Sequence, residues 1–108
     1  LAESWAALFL WLKGYRIVAR RERTPFGEVD IAALKGEVLA IVEVKARESR
    51  RAGLEAITAR QRSRIGLAGG ALSQRLGRAG LKLRIDVVVA WPGGAVWRER
   101  DAWRMEGG

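Results

Sequence analysis

The chain contains no cysteine and no histidine, and each absence removes a body of chemistry. Without thiols there is no disulfide framework, and without thiols or imidazoles there is no thiolate or histidine zinc site and no Ser-His or Cys-His nucleophilic pair. Any metal must therefore be held by carboxylates. Long apolar runs are missing as well: the longest, Trp5 to Leu12, is far short of the roughly 20 residues that span a bilayer, and no basic segment precedes it. The expectation is a soluble, cytoplasmic protein with no membrane partner. The sequence starts at Leu1, already in a helical pattern, so a short N-terminal stretch is expected to be missing.

What is present is a globular balance. Its 108 residues are 49% hydrophobic and 30% charged, enough for one core and too little for two, so residues 1–108 are read as one domain. Lys and Arg number 20 against 12 Asp and Glu, a formal charge of +8 with an isoelectric point near 11.2. Such an excess points to a polyanionic partner, nucleic acid first among them.

Residues 1–13 are apolar around most of a helical circumference and are followed by Gly14, a helix terminator. A helix so apolar is expected to pack on more than one side, with Trp5 and Trp11 in the core. Residues 15–19 read as a short strand and residues 20–26 as a basic loop, closed to pairing by Pro25. Residues 28–34 and 38–46 are β-rich runs separated by Lys35-Gly36-Glu37, a hairpin signal. Both faces of the second run are largely apolar, as in a central strand covered on two sides. From Ala52, the positions Ile57, Gln61, Ile65, Ala68, Leu72 and Leu76 form one helical stripe. Gly66, Gly69 and Gly70 leave that helix either closely packed or broken. Residues 85–91 form a third apolar strand, parallel to its predecessor because a helical crossover leads to it. A short edge strand over residues 95–98 and a polar tail complete the chain.

Asp30, Glu43 and Lys45 are the charges embedded in these apolar runs. A hairpin loop of two or four residues puts Asp30 on the face of Glu43 and Lys45, opposite Ile41 or Glu43; a three-residue loop puts it on the other face. Two carboxylates about 4 Å apart repel by about 4 kcal/mol at an effective dielectric of 20, so such a pair calls for a proton, a cation or an ammonium. A hard divalent ion with waters and phosphate oxygens would serve. A solvated ion-pair cluster is the competing reading, weakened by the apolar context.

The blocks Gly27-Glu28-Val29-Asp30-Ile31, Val42-Glu43-Val44-Lys45-Ala46-Arg47 and Arg84-Ile85-Asp86-Val87-Val88, with Gly14-Tyr15 after the first helix, closely resemble the YraN family of small bacterial proteins over nearly the whole chain. That family is similar to the PD-(D/E)xK nuclease superfamily and to Holliday junction resolvases. The resemblance implies an α/β restriction-endonuclease-like domain, a mixed central sheet flanked by helices. It implies Asp30 and Glu43 as ligands of Mg²⁺ or Mn²⁺, Lys45 as the catalytic lysine and Glu3 as a further acidic member of the site. Val29 stands where the superfamily has its name-giving proline, and Gln61 where relatives commonly carry lysine. The activity implied is metal-dependent hydrolysis of DNA, including branched or recombination and repair DNA; the alternative is a nucleic-acid-binding module that keeps the fold without turnover.

Other residues are weighed beside these. Arg47, Arg50, Arg51, Arg60 and Arg64 are candidate phosphate contacts, each balanced against a solvated surface role. Gln61, within the apolar stripe, is expected to turn its amide toward the sheet, as a buried hydrogen bond or toward substrate. Glu28 reads as structural, Glu3 as site member or frayed helix end, and Asp86 as the ion-pair partner of Arg84. The remaining tryptophans, Trp91, Trp97 and Trp103, are candidates for base stacking. Homodimerisation is left open.

Overall fold

The computed structural model of the chain describes residues 2–78 and 80–104, with residues 99–104 described by their backbone. In chain order the elements are α1 (Ala2–Leu12), β1 (Arg16–Thr24), β2 (Gly27–Lys35), β3 (Val38–Ala46), α2 (Arg50–Leu54), α3 (Ala59–Leu76), β4 (Lys82–Trp91) and β5 (Gly94–Arg104). The strands lie side by side in sequence order. β3 and β4 are parallel and every other neighbouring pair is antiparallel. The result is the mixed sheet flanked by helices that the sequence led us to expect, consistent with a restriction-endonuclease-like domain. Among the described residues no helix is long and apolar enough to cross a membrane.

Period-two alternation divides β3 between two cores. Leu39 and Ile41 pack with Ile65, Ala68 and Leu72 of α3, whereas Ala40 and Val42 pack with Ala6, Ala7 and Leu10 of α1. β3 is thus the two-sided central strand. The connection from β3 to β4 runs through α2 and α3, and the parallel pairing expected of a helical crossover is present.

Four local expectations are corrected. Residues 20–26 are not a loop: β1 continues to Thr24 and pairs with β2 down to Thr24↔Gly27. Pro25 falls inside the two-residue turn, where a fixed φ is favourable and no N–H is required; the Thr24 hydroxyl accepts from Phe26 N–H at 3.0 Å and donates to the Gly27 carbonyl at 2.7 Å. The helical region after Ala52 breaks at residues 55–58 rather than at its glycines. Glu55 caps the end of α2, and Thr58 opens α3, so Ile57 lies between the helices, packed on Val87 and Val89. β5 runs to Arg104 instead of stopping at 98, pairing with β4 as far as Lys82↔Arg104. Finally, α1 packs on one side only. Its alanines and Leu10 meet the sheet, while Trp5, Leu8, Trp11 and Leu12 stand 45%, 53%, 63% and 68% exposed.

The expected Arg84–Asp86 ion pair is present and carries more than two residues. Asp86 is fully buried, and its oxygens accept from Arg84 Nε at 2.7 Å, Arg84 Nη2 at 2.8 Å and Trp97 Nε1 at 2.8 Å. Arg84 also donates to the Tyr15 hydroxyl, so one cluster ties β4 and β5 to the residue that enters β1. The side chain of Trp103 lies outside the described residues.

Removing one member of a buried, hydrogen-bonded ion pair leaves the other charge uncompensated, so Asp86→Ala is expected to cost about 3–5 kcal/mol in urea unfolding. Two adjacent glycines of α3 should respond in opposite directions. A Cβ at Gly69 would stand 2.9 Å from Ile41 Cγ1, and one at Gly70 would meet nothing within 4 Å. Gly70→Ala is expected to stabilise by about 1 kcal/mol through helix propensity. Gly69→Ala should destabilise, its overpacking of about 1–3 kcal/mol exceeding that gain.

Candidate functional site

β2 and β3 pair from Lys35↔Val38 to Ile31↔Val42 and then part. Past that point β2 stays with β1 as far as Thr24↔Gly27, and β3 stays with β4 as far as Ala46↔Ala90. The sheet therefore splits down its middle, and Asp30 and Glu43 are the first residues beyond the last pair. The turn between the strands has two residues, Gly36 and Glu37, a parity that would put Asp30 on the face of Glu43 and Lys45 if the pairing continued past Ile31↔Val42.

Asp30 then leaves the strict alternation. Val29 packs in the α3 core and Ile31 in the α1 core, so β2 turns over at the residue between them. Asp30 Oδ2 accepts the N–H of Val44 at 2.8 Å, a donor that the interrupted ladder leaves without a β2 carbonyl. On the α1 side of the split lies a cleft of about 280 Å³, walled by Ala2 and Glu3 of α1, Arg21 of β1, Glu28 and Asp30 of β2 and Val44 of β3.

Glu43 is the strained member. It is 6% exposed, its Oε1 lies 3.6 Å from Arg64 Nη2, and its Oε2 is buried without a hydrogen-bond partner among the described residues. Burial pushes its carboxyl up to about 7, and the neighbouring Asp30 charge adds to the rise; Arg64, Lys45 and a backbone hydrogen bond from Asp30 oppose it without cancelling it. Lys45 follows two residues later on the same strand, half-buried. The structure thus brings Asp30, Glu43 and Lys45 within electrostatic reach of one another.

Glu3 reaches the same cleft, but already compensated. Although burial alone would raise it, the guanidinium groups of Arg20 and Arg21 hold its carboxyl below the usual range. Arg21 takes the left-handed backbone conformation, φ 47°, which is uncommon outside glycine; sequence gives no sign of it. Among the described residues no three acidic side chains stand close enough to hold a cation together.

Gln61 is not directed at the sheet. Its side-chain Oε1 accepts from Thr58 N–H and its own N–H donates to the Thr58 hydroxyl, both at 3.1 Å. This is a capping box, and its signature, Thr58 followed three residues later by Gln61, was readable in the sequence. Of the arginines, Arg47 donates to the Ala46 carbonyl beside it and Arg51 pairs with Glu55 on the surface. Arg50 and Arg60 are exposed. Arg64 alone among the five touches the cluster.

The sequence model of the family described as uncharacterised protein family UPF0102 matches residues 2–90, a span that contains the whole cluster. The UPF0102 protein of Caulobacter sp. (strain K31) is 45% identical over 109 residues, covering 98% of this chain and 77% of that relative. That of Parvibaculum lavamentivorans is 47% identical over 104 residues, covering 95% and 78%. That of Agrobacterium fabrum is 46% identical over 92 residues, covering 84% and 75%.

The raised Glu43 carboxyl makes a signed prediction about stability. The folded chain binds this proton more tightly than the unfolded chain, whose value is near 4.5. Stability from this group is therefore fullest below that value and is lost as pH rises to about 7, by about 3 kcal/mol in all. Urea midpoints measured from pH 4 to pH 8 are expected to fall across that window for the native chain. In Glu43→Gln this contribution to the fall should vanish, leaving the variant the more stable of the two at pH 8.

Proposed function

The chain belongs to the UPF0102 family, and on that footing we propose that it is a metal-dependent nuclease that hydrolyses DNA phosphodiester bonds, acting on structured DNA such as branched recombination and repair intermediates. The observation that carries this reading is the buried Oε2 of Glu43, without a hydrogen-bond partner among the described residues, beside a second carboxylate. Two acidic side chains held together in a split sheet leave an electrostatic demand that the surrounding residues only partly meet.

Mg²⁺ or Mn²⁺ fits that demand. The donors are hard carboxylate oxygens, and these ions take one or two carboxylates together with waters and phosphate oxygens. Asp30 and Glu43 would hold the ion, which when bound supplies Lewis-acid polarisation of the phosphate and stabilises charge on the departing oxygen. The rest falls to the chain. Lys45 would supply an ammonium to stabilise a nascent hydroxide or the charge gathering on the phosphorane. Glu3, held ionised by Arg20 and Arg21, fixes the negative wall of the cleft. The excess positive charge of the chain draws a polyanion to the surface.

A second reading, a nucleic-acid-binding module without turnover, is favoured by one observation: Glu3 is spent on two arginines, and no third carboxylate joins Asp30 and Glu43 among the described residues. Divalent-ion titration against branched and linear DNA separates the two. Asp30→Asn and Glu43→Gln are each expected to abolish Mn²⁺ binding and DNA nicking, and Lys45→Ala to spare DNA binding while removing cleavage. Salt-dependent DNA binding with metal uptake untouched by both carboxylate substitutions would establish the binding module instead.

A further inference from the structure

Arg64 differs from the other arginines in how it is held. Its Nη1 donates to the carbonyls of Phe26 at 3.2 Å and Glu28 at 3.3 Å, the two residues that flank Gly27. Gly27 has φ +117°, and a Cβ built there would lie 2.7 Å from Arg64 Nη1. The missing side chain at position 27 is therefore what admits the guanidinium. At its other end, Nη2 stands 3.6 Å from Glu43 Oε1, near enough for attraction and too far for a hydrogen bond. One planar group thus spans the split, from the part of β2 that has left β3 to the carboxylate on β3 itself.

A guanidinium offers five N–H donors in a fixed plane. In Arg64 the carbonyls engage Nη1, while Nη2 faces Glu43 at 3.6 Å with no hydrogen-bond partner among the described residues, and 35% of the side chain remains exposed. Because its torsions are already fixed by the anchor, little entropy is lost when an anion takes the remaining donors. Gln61 is committed to its own helix cap, whereas Arg64, one turn further along α3, reaches the site.

We propose that Arg64 is the phosphate-positioning residue of this site, gripping a non-bridging oxygen of a phosphodiester brought to Asp30, Glu43 and Lys45. The assignment rests on the reading of that cluster as a phosphodiester site and names its anion subsite. Arg47 and Arg51, by contrast, contribute to the general field of the surface.

The test separates the two levels. Binding of a duplex oligonucleotide is measured over a series of salt concentrations in the presence of a chelator, so that neither metal nor turnover enters. Arg64→Gln is expected to lower the slope of log K against log salt by about 0.9, one phosphate contact on duplex DNA. Arg75→Gln, whose arginine pairs with Glu22 elsewhere on α3, should leave the slope unchanged. Arg64→Lys keeps the charge and hence the slope, but loses the fork that anchors on the carbonyls through Nη1 while leaving Nη2 for the phosphate; with Mg²⁺ its kcat is expected to fall about 10- to 100-fold at similar KM. Mn²⁺ affinity of Arg64→Gln should equal or exceed that of the native chain, since a nearby positive charge is gone. Equal slope changes in the two glutamine variants, no change in either, or loss of Mn²⁺ binding with the slope intact would each overturn the assignment. A native chain that binds DNA but never cleaves it, with the slope difference present, retains Arg64 as a phosphate contact and removes the nuclease reading. Absence of salt-dependent binding by the native chain removes both.

Discussion

The parting of β2 from β3 after Ile31↔Val42 is the constraint on which the rest of the molecule depends. A sheet that stayed zipped would satisfy the Val44 N–H with a strand carbonyl and would leave no room between the strands for a carboxylate. Here each half of the split keeps a partner on its outer side, β1 for β2 and β4 for β3, so the outward-facing backbone groups of both strands stay paired as the gap opens. Asp30 closes the one vacancy that matters by accepting the Val44 N–H. Arg64 closes another by binding two carbonyls at the mouth of the β1–β2 turn. The opening is held by side chains, and those side chains are the ones that form the candidate site.

The electrostatics follow from that geometry. Glu43 occupies the row of β3 that continues Leu39 and Ile41, facing α3, and burial there raises the free energy of its charged form before any neighbour is counted. Asp30 makes matters worse, and Arg64 and Lys45 make them better. Had the chain been built for stability alone, a leucine at position 43 would have continued the α3 core, since replacing buried charge by well-packed apolar groups is often neutral or stabilising. Retaining a glutamate with an unsatisfied oxygen is a local conflict of the kind that natural proteins tolerate where a ligand is to bind.

Sequence reasoning reached the central strand and the parallel crossover because each depends on a period or a parity, quantities that a one-dimensional pattern carries. The shared face of Asp30, Glu43 and Lys45 expected from parity is instead broken where β2 turns over at Asp30. β3 announces itself by two apolar faces, and a two-residue turn fixes which residues meet. The errors share a different origin. Pro25 stops a strand only if it must donate a hydrogen bond, and whether it does depends on the turn around it. Trp5 and Trp11 look like core residues in a helix that is apolar all round, yet the sheet offers α1 one face, and Ala6, Ala7 and Leu10 take it. Gln61 fell on the apolar stripe because the helix start was placed too early; with the start moved to Ala59, the same residue becomes the N3 member of a cap. The positions of Arg21 and Arg64 depend on a left-handed backbone and on an absent Cβ three elements away, at Gly27, and neither leaves a periodic trace.

Two acidic residues of this chain lie on apolar strands with a basic residue two positions away, and they have opposite fates. Asp86 is flanked by Arg84, which meets it through two parallel N–H groups, and Trp97 supplies a third donor; every demand of the carboxylate is met from within the fold. Glu43 is followed by Lys45, which acts on it through its charge, and its nearest guanidinium stops at 3.6 Å. Residue type and spacing are nearly the same in both, so they do not distinguish a structural pair from a reactive one. Satisfaction does. In the Asp86 cluster the donors close around the carboxylate, whereas at Glu43 the fixed cations stand off, the sheet is open, and one oxygen has no hydrogen-bond partner among the described residues. On the proposed function, the last interaction of Glu43 comes from outside the chain, and the split between β2 and β3 is where it enters.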